Sequence, residues 1–155
     1  MKERIIKSNK YKHYMKCLNL YTGAFIFIII ILLMLLVSET DNLNGIVESW
    51  SYIGPLIGVF SMLFIPFILF YGCSIISIRR NVDKYTSYIG IITSIETSQF
   101  IRTAHRNIAV KIEGFTDLFY MKIYRGELYD EVTKDKSVEI AFNEKTGDFI
   151  VLNVV

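Results

Sequence analysis

The sequence predicts a membrane protein in two parts, a hairpin of two transmembrane helices followed by a small five-stranded β-barrel domain of the SH3-like or OB-like kind. Two long apolar segments carry no charged residue, which is typical of membrane spans. Basic residues flank the outer ends of these segments, and the short loop between them is acidic. The last part of the chain changes to a two-residue hydrophobic period, which predicts strands.

Residues 20–37 form the first predicted transmembrane helix. At 1.5 Å per residue they extend about 27 Å, close to the ~30 Å hydrocarbon core of a bilayer. The preceding residues 1–19 hold six Lys or Arg and one Glu, which we place at the anionic cytoplasmic surface. Because the apolar run exceeds the core of a signal peptide and no small-residue cleavage site follows it, we interpret the segment as an uncleaved signal-anchor.

Residues 53–78 form the second predicted transmembrane helix, and residues 38–52 form a short extracytoplasmic loop. The second helix is longer than a bilayer needs, so it must tilt, kink or project, and Pro66 predicts a kink. Gly54 and Gly58 form a G-x-x-x-G pair, which predicts close packing of helices, either of the two spans or of two copies.

The flanking charges predict the orientation of the hairpin. Residues 1–19 and the Arg79–Arg80 pair are basic, so the positive-inside rule predicts a multi-pass protein of the cell (inner) membrane with both termini in the cytoplasm. Neither span contains an ionisable side chain, which argues against a transporter, a pump or a charge-selective channel. The predicted anchors at the membrane interface are Tyr21, Trp50, Tyr52, Arg79 and Arg80.

Residues 79–87 are a predicted linker, and residues 88–155 are the predicted cytoplasmic β-domain. Each of its five strands alternates apolar with polar or small residues, as half-buried strands do. The connection at residues 125–136 is predicted to hold one helical turn with Leu128 and Val132 directed inward. The alternating apolar positions are Ile89, Ile91, Thr93 and Ile95; Ile108, Val110 and Ile112; Phe119, Met121 and Ile123; Val138, Ile140 and Phe142; and the run 149–155.

The chain carries no recognisable catalytic motif, so we expect a protein that is not an enzyme and that needs no cofactor and no metal. Cys17 and Cys73 are too few and too far apart in sequence for a disulfide framework or a metal site. Residues 81–155 hold nine basic and eleven acidic residues, a net charge of −2, so the predicted domain is not expected to bind nucleic acid.

The loop at residues 100–107 brings Arg102, His105 and Arg106 together between the first two predicted strands. Clustered basic side chains on a loop can hold a phosphate or a lipid headgroup. We therefore name these three residues as the candidate contact for a small anionic ligand or a lipid headgroup. The alternative is a solvated loop without a ligand.

These observations predict a membrane-anchored, non-enzymatic binding or adaptor protein. Its partners would be the lipid bilayer and, for the β-domain, either another protein or its own copies in a homo-oligomer. In domain order alone, the chain resembles bacterial membrane effectors of defence and immunity systems. That resemblance implies an alternative function, in which the β-domain senses a small anionic ligand such as a nucleotide and the helices oligomerise to perturb the membrane.

Overall fold

A computed structural model describes residues 1–38, 43–96 and 105–155. It contains two long apolar helices followed by a five-stranded antiparallel sheet, as the sequence predicts. The chain divides into two compact units, one made of Met15–Ser74 and one made of Met1–Tyr14 with Ile75–Val155. The helices are α1 (Lys2–Lys7), α2 (Asn9–Ser38) and α3 (Leu43–Arg80), with a 3-10 turn at Val82–Lys84; the strands are β1 (Thr86–Glu96), β2 (His105–Ile112), β3 (Leu118–Tyr124), β4 (Ser137–Asn143) and β5 (Asp148–Val154).

The unit Met15–Ser74 consists of helix α2 beyond Tyr14 and helix α3 up to Ser74. Both helices are long and apolar enough to cross a membrane, and their apolar side chains are mostly exposed. The ring of Tyr21 stacks on the rings of Phe67 and Tyr71, with centroids 5.1 and 5.8 Å apart. Aromatic side chains therefore join the two helices within this unit.

The sheet of the second unit has the strand order β3-β2-β1-β4-β5, with every neighbouring pair antiparallel. It curls into a half-barrel, because the edge strands approach each other: Phe119 of β3 and Phe149 of β5 have ring centroids 5.2 Å apart. The inner face holds the hydrophobic core. Its buried members are Ile92, Ile108, Val110, Ile112, Met121, Ile123, Val132, Val138, Ile140 and Val151.

Strand β1 turns its predicted buried face outward over its first half, so that prediction is wrong there. Ile89 and Ile91 are 62% and 52% exposed, whereas Gly90 and Ile92 face the core. A Cβ atom at Gly90 would lie 2.5 Å from Cγ1 of Val110, so only glycine fits under that side chain. A bulge between Ile92 and Ser94 then returns Ile95 to the core side.

The connection between β3 and β4 is a series of turns without a helix, and a hydrogen bond between residues three apart closes one of these turns. The N–H of Tyr129 donates to the carbonyl of Gly126 at 3.0 Å. The prediction that Leu128 and Val132 are directed inward is confirmed, since Val132 is buried in the core and Leu128 packs against it.

The first fourteen residues belong to the same compact unit as the sheet, although the sequence treats residues 1–19 as a separate segment. Ile5 and Tyr11 are buried there. Ser8 separates α1 from α2: its hydroxyl donates to the carbonyl of Ile5 at 2.6 Å and accepts the N–H of Tyr11 at 3.3 Å. The hydroxyl thus caps both helix ends and sets the bend between them.

Candidate functional site

The seam between strands β3 and β5 is bridged by the N-terminal residues 1–14, which we call the N-terminal clasp. The Nδ2 of Asn9 donates to the carbonyl of Tyr124 on β3 at 3.4 Å. The Nζ of Lys10 donates to the carbonyl of Phe149 on β5 at 3.0 Å. Two consecutive residues therefore satisfy backbone groups on both edges of the half-barrel, which would otherwise be open to another strand.

Gly126 provides the space in which Asn9 lies. A Cβ atom at this position would be 2.6 Å from the Oδ1 of Asn9. The clasp thus packs directly on the backbone of the connection that follows β3.

Ion pairs reinforce the clasp at two places. Lys10, which is largely buried, pairs with Asp148, and the hydroxyl of Tyr85 donates to the other oxygen of that carboxylate at 2.7 Å. The guanidinium of Arg4 donates two hydrogen bonds to the carboxylate of Glu139 in a bidentate ion pair. The hydrogen bond from Arg4 holds the pKa of Glu139 below its usual range. These basic residues are therefore partnered by carboxylates of their own chain, whereas the sequence assigns them to the membrane surface.

Both histidines of the chain lie beside the ring of Tyr124. His13 of the clasp stacks on that ring with centroids 4.5 Å apart, and His105 of β2 lies tilted to it at 6.0 Å. Burial, and secondly the charge of Lys122, lower the pKa of His105 from its ordinary value. At neutral pH this imidazole is therefore mainly uncharged.

The candidate anion site is described only in part. Arg102 lies outside the described residues, and His105 and Arg106 begin strand β2. The guanidinium of Arg106 lies 4.2 Å from the centroid of the Tyr129 ring, and its Nη1 donates to the carbonyl of Tyr129 at 3.2 Å. Arg106 therefore anchors the connection between β3 and β4. The binding of an anion by these residues stays a prediction.

The residues predicted to pack the helices or to anchor them at the membrane interface differ in exposure and in contacts. A Cβ atom at Gly54 would lie 3.5 Å from the indole of Trp50 on the same helix, and one at Gly58 would meet no described atom within 4 Å. Trp50 and Tyr52 are exposed, as is Arg80. Tyr21 belongs to the aromatic stack described above. The Nε of Arg79 donates to the hydroxyl of Tyr11 at 2.6 Å.

Within residues 1–38, 43–96 and 105–155, no group of three or more His, Cys, Asp or Glu side chains is placed to hold a metal ion. The arrangement around the clasp is therefore a set of hydrogen bonds, ion pairs and ring contacts. Comparison with known proteins adds no relative: no family model, no curated protein and no solved structure matches this chain.

The clasp was not predicted from the sequence, although the distribution of charge along the chain contains one indication of it. Residues 1–19 carry six basic residues, and residues 81–155 carry an acidic excess. Opposite charges on two segments of one chain can pair with each other as well as with a membrane. The signal does not say which basic residue meets which carboxylate, because that depends on the curvature of the sheet.

Proposed function

We propose that this protein is a membrane-anchored, non-enzymatic adaptor. Residues 15–74 cross the cell membrane twice as a hairpin, and the unit made of residues 1–14 and 75–155 lies on the cytoplasmic side, where it offers its sheet to a protein partner or to a second copy. One observation carries the proposal: both ends of the apolar segment lead into a single compact unit.

The single compact unit constrains the topology of the chain. If only one of the two helices crossed a bilayer, Met1–Tyr14 and Ile75–Val155 would lie on opposite sides and their contacts could not form. Two crossings keep both parts together. Lys16, Arg79 and Arg80 flank the apolar segment next to this unit, and flanking basic residues favour the cytoplasmic side.

The strand order favours the OB-like alternative for the half-barrel. Strand β1 pairs with both β2 and β4, so the spatial order 3-2-1-4 is that of a Greek key. The OB-fold is a partly open, five-stranded Greek-key barrel. Folds of this kind act by binding at their sheet surface and loops, which agrees with the lack of a catalytic motif in the sequence.

Labelling of single cysteines in intact cells tests the topology. In a Cys17→Ser/Cys73→Ser background, we expect an impermeant maleimide to label Tyr52→Cys, an exposed position near the start of α3, before the cells are opened. Lys145→Cys, an exposed position between β4 and β5, should react only after the membrane is permeabilised. The reverse pattern, or recovery of the protein in the carbonate-soluble fraction, would contradict the proposal.

A second candidate function is the sensing of a small anion at the loop between β1 and β2. The Greek-key order favours it, because this loop belongs to the ligand-binding surface of OB-folds. Calorimetry of the full chain in nanodiscs with nucleotides tests it, with Arg102→Ala as the site variant and Lys145→Ala as the control. Heat that disappears in the first variant alone would support the site, and no heat with any nucleotide tested would remove it.

A further inference from the structure

The outer face of strand β1 carries an exposed apolar groove. We call it the isoleucine groove, because Ile89 and Ile91 line it together with Lys111, Glu113 and Ser137. Both isoleucines are more than half exposed, in the middle strand of the sheet. Gly90 fixes this orientation, since the inner side of the strand has no room for a side chain there. Adjacent exposed β-branched side chains at the centre of a sheet are typical of a contact surface.

Two opposite charges border the groove and are available to a partner. The side chain of Lys111 lies on the outer side of β2. Glu113 follows two residues later, in the turn after the strand. Both residues are exposed. Across the described parts of the chain, neither side chain forms an ion pair. The groove thus presents an apolar floor with one cation and one anion on the same rim.

We propose that the isoleucine groove binds the same groove of a second copy of this chain, in a two-fold symmetric dimer. Across a two-fold axis, residue i of one copy contacts residue j of the other, and j contacts i in return. Lys111 of each copy then pairs with Glu113 of the other, and the isoleucines of both copies meet between the two ion pairs. The proposal deepens the proposed function by naming the partner of the sheet.

A second copy fits this surface better than a bilayer does. An anionic membrane attracts lysine and repels glutamate, so the two charges on the rim cancel there. In a two-fold contact, both charges are satisfied at once. The two membrane helices of the proposed function also confine the copies to one plane, which raises the frequency of their encounters.

Charge exchange in the full chain, reconstituted in nanodiscs or native membranes, tests the proposal. In the Cys17→Ser/Cys73→Ser background, Ile91→Cys reports the contact through a short bis-maleimide, and Lys145→Cys is the exposed control. We expect a cross-linked dimer with the first reporter only. Lys111→Glu alone and Glu113→Lys alone should each lower the dimer yield by about tenfold, since like charges replace both attractive pairs.

The double variant Lys111→Glu/Glu113→Lys should recover the cross-linked dimer, because the exchanged charges pair again across the axis. An equal mixture of the two single variants, carrying different affinity tags, should also recover it as a mixed dimer. This recovery separates a lost contact from a misfolded variant.

Three outcomes would overturn the dimer. The first is equal cross-linking of Ile91→Cys and Lys145→Cys. The second is full yield in both single-charge variants. The third is a cysteine at residue 91 that neither reacts with a soluble maleimide nor cross-links to a second copy. That result would mean that lipid or another protein covers the groove. Carbonate extraction of the same samples reports membrane insertion separately, so failure of the proposed function is distinguished from failure of the dimer.

Discussion

Single residues decide which way the first strand faces. Gly90 does not have a positive φ, yet the side chain of Val110 occupies the space where its Cβ would lie. The glycine therefore allows β1 and β2 to pack closely on the core side, and it leaves Ile89 and Ile91 on the outer side.

Gly90→Ala should destabilise the sheet by about 1–3 kcal/mol, the usual cost of forcing a methyl group into a packed core. Thermal unfolding of the full chain in detergent, followed by circular dichroism, measures the loss. The double variant Gly90→Ala/Val110→Ala should lose less stability than the two single variants added together, because the new Cβ would then contact only the backbone oxygen of Lys111 at 3.0 Å and the side chain of Ile112. An unchanged unfolding temperature for Gly90→Ala would contradict the packing described here.

His105 should make stability depend on pH. Its pKa in the folded state lies below the ordinary 6.5, so between the two pKa values the unfolded chain binds more protons than the folded chain. The contribution of His105 is therefore complete above pH 6.5 and is lost as the pH falls from 6.5 through the lower pKa of the folded state. Urea unfolding between pH 8 and pH 5 should show a steeper loss for the natural chain than for His105→Gln, and parallel profiles would argue against this role.

At the scale of elements, the clasp is the feature that joins distant parts of the chain. Helix α1 and the start of α2 pack on the sheet, and Asn9 and Lys10 bond to the two edge strands. A half-barrel with two open edges is a template for unwanted pairing, and a clasp of the same chain removes that hazard.

Lys10 and Lys12 form a matched pair for testing the clasp. Lys10 is largely buried against Asp148 and Phe149, so Lys10→Ala should weaken the clasp by about 2 kcal/mol. Lys12 lies 3.6 Å from Glu127 with both side chains more than half exposed, so Lys12→Ala should cost less than about 0.5 kcal/mol. Hydrogen exchange of residues 1–14 measures both, and equal exchange in the two variants would refute the difference.

Much of the fold can be predicted from the sequence, because its signals are local. Uncharged apolar runs give the helices, and alternation gives the five strands within a few residues. The side of β1 that faces the core is not predictable in this way. Ile91 and Ile92 are adjacent, and which of the two is buried depends on Gly90 and on a bulge. The contacts of Arg106 and Lys10 cannot be predicted from the sequence either. Arg106 meets Tyr129, and Lys10 meets Asp148, only when the sheet curls.

At the scale of the whole molecule, the unit that contains the sheet is assembled from two segments that are distant in sequence. Met1–Tyr14 and Ile75–Val155 together should therefore fold without the apolar segment between them. We expect a fusion of residues 1–14 to residues 75–155 through a flexible Gly/Ser linker to give a cooperative thermal transition. Residues 75–155 alone should unfold at a lower temperature or aggregate, because the seam between β3 and β5 is then uncovered. Equal unfolding temperatures would show that the clasp adds no stability.

The separation in sequence between the clasp and the strand it contacts has a consequence for biosynthesis. Lys10 leaves the ribosome 138 residues before its partner Asp148, so this contact forms only after both segments of the unit have been synthesised. In the proposed topology, the apolar segment between them has left the ribosome before this contact forms. In that topology, a chain that crossed the membrane once would hold Met1–Tyr14 and Ile75–Val155 on opposite sides, and the clasp could not pack on the sheet. Closure of the clasp therefore requires both crossings of the proposed hairpin.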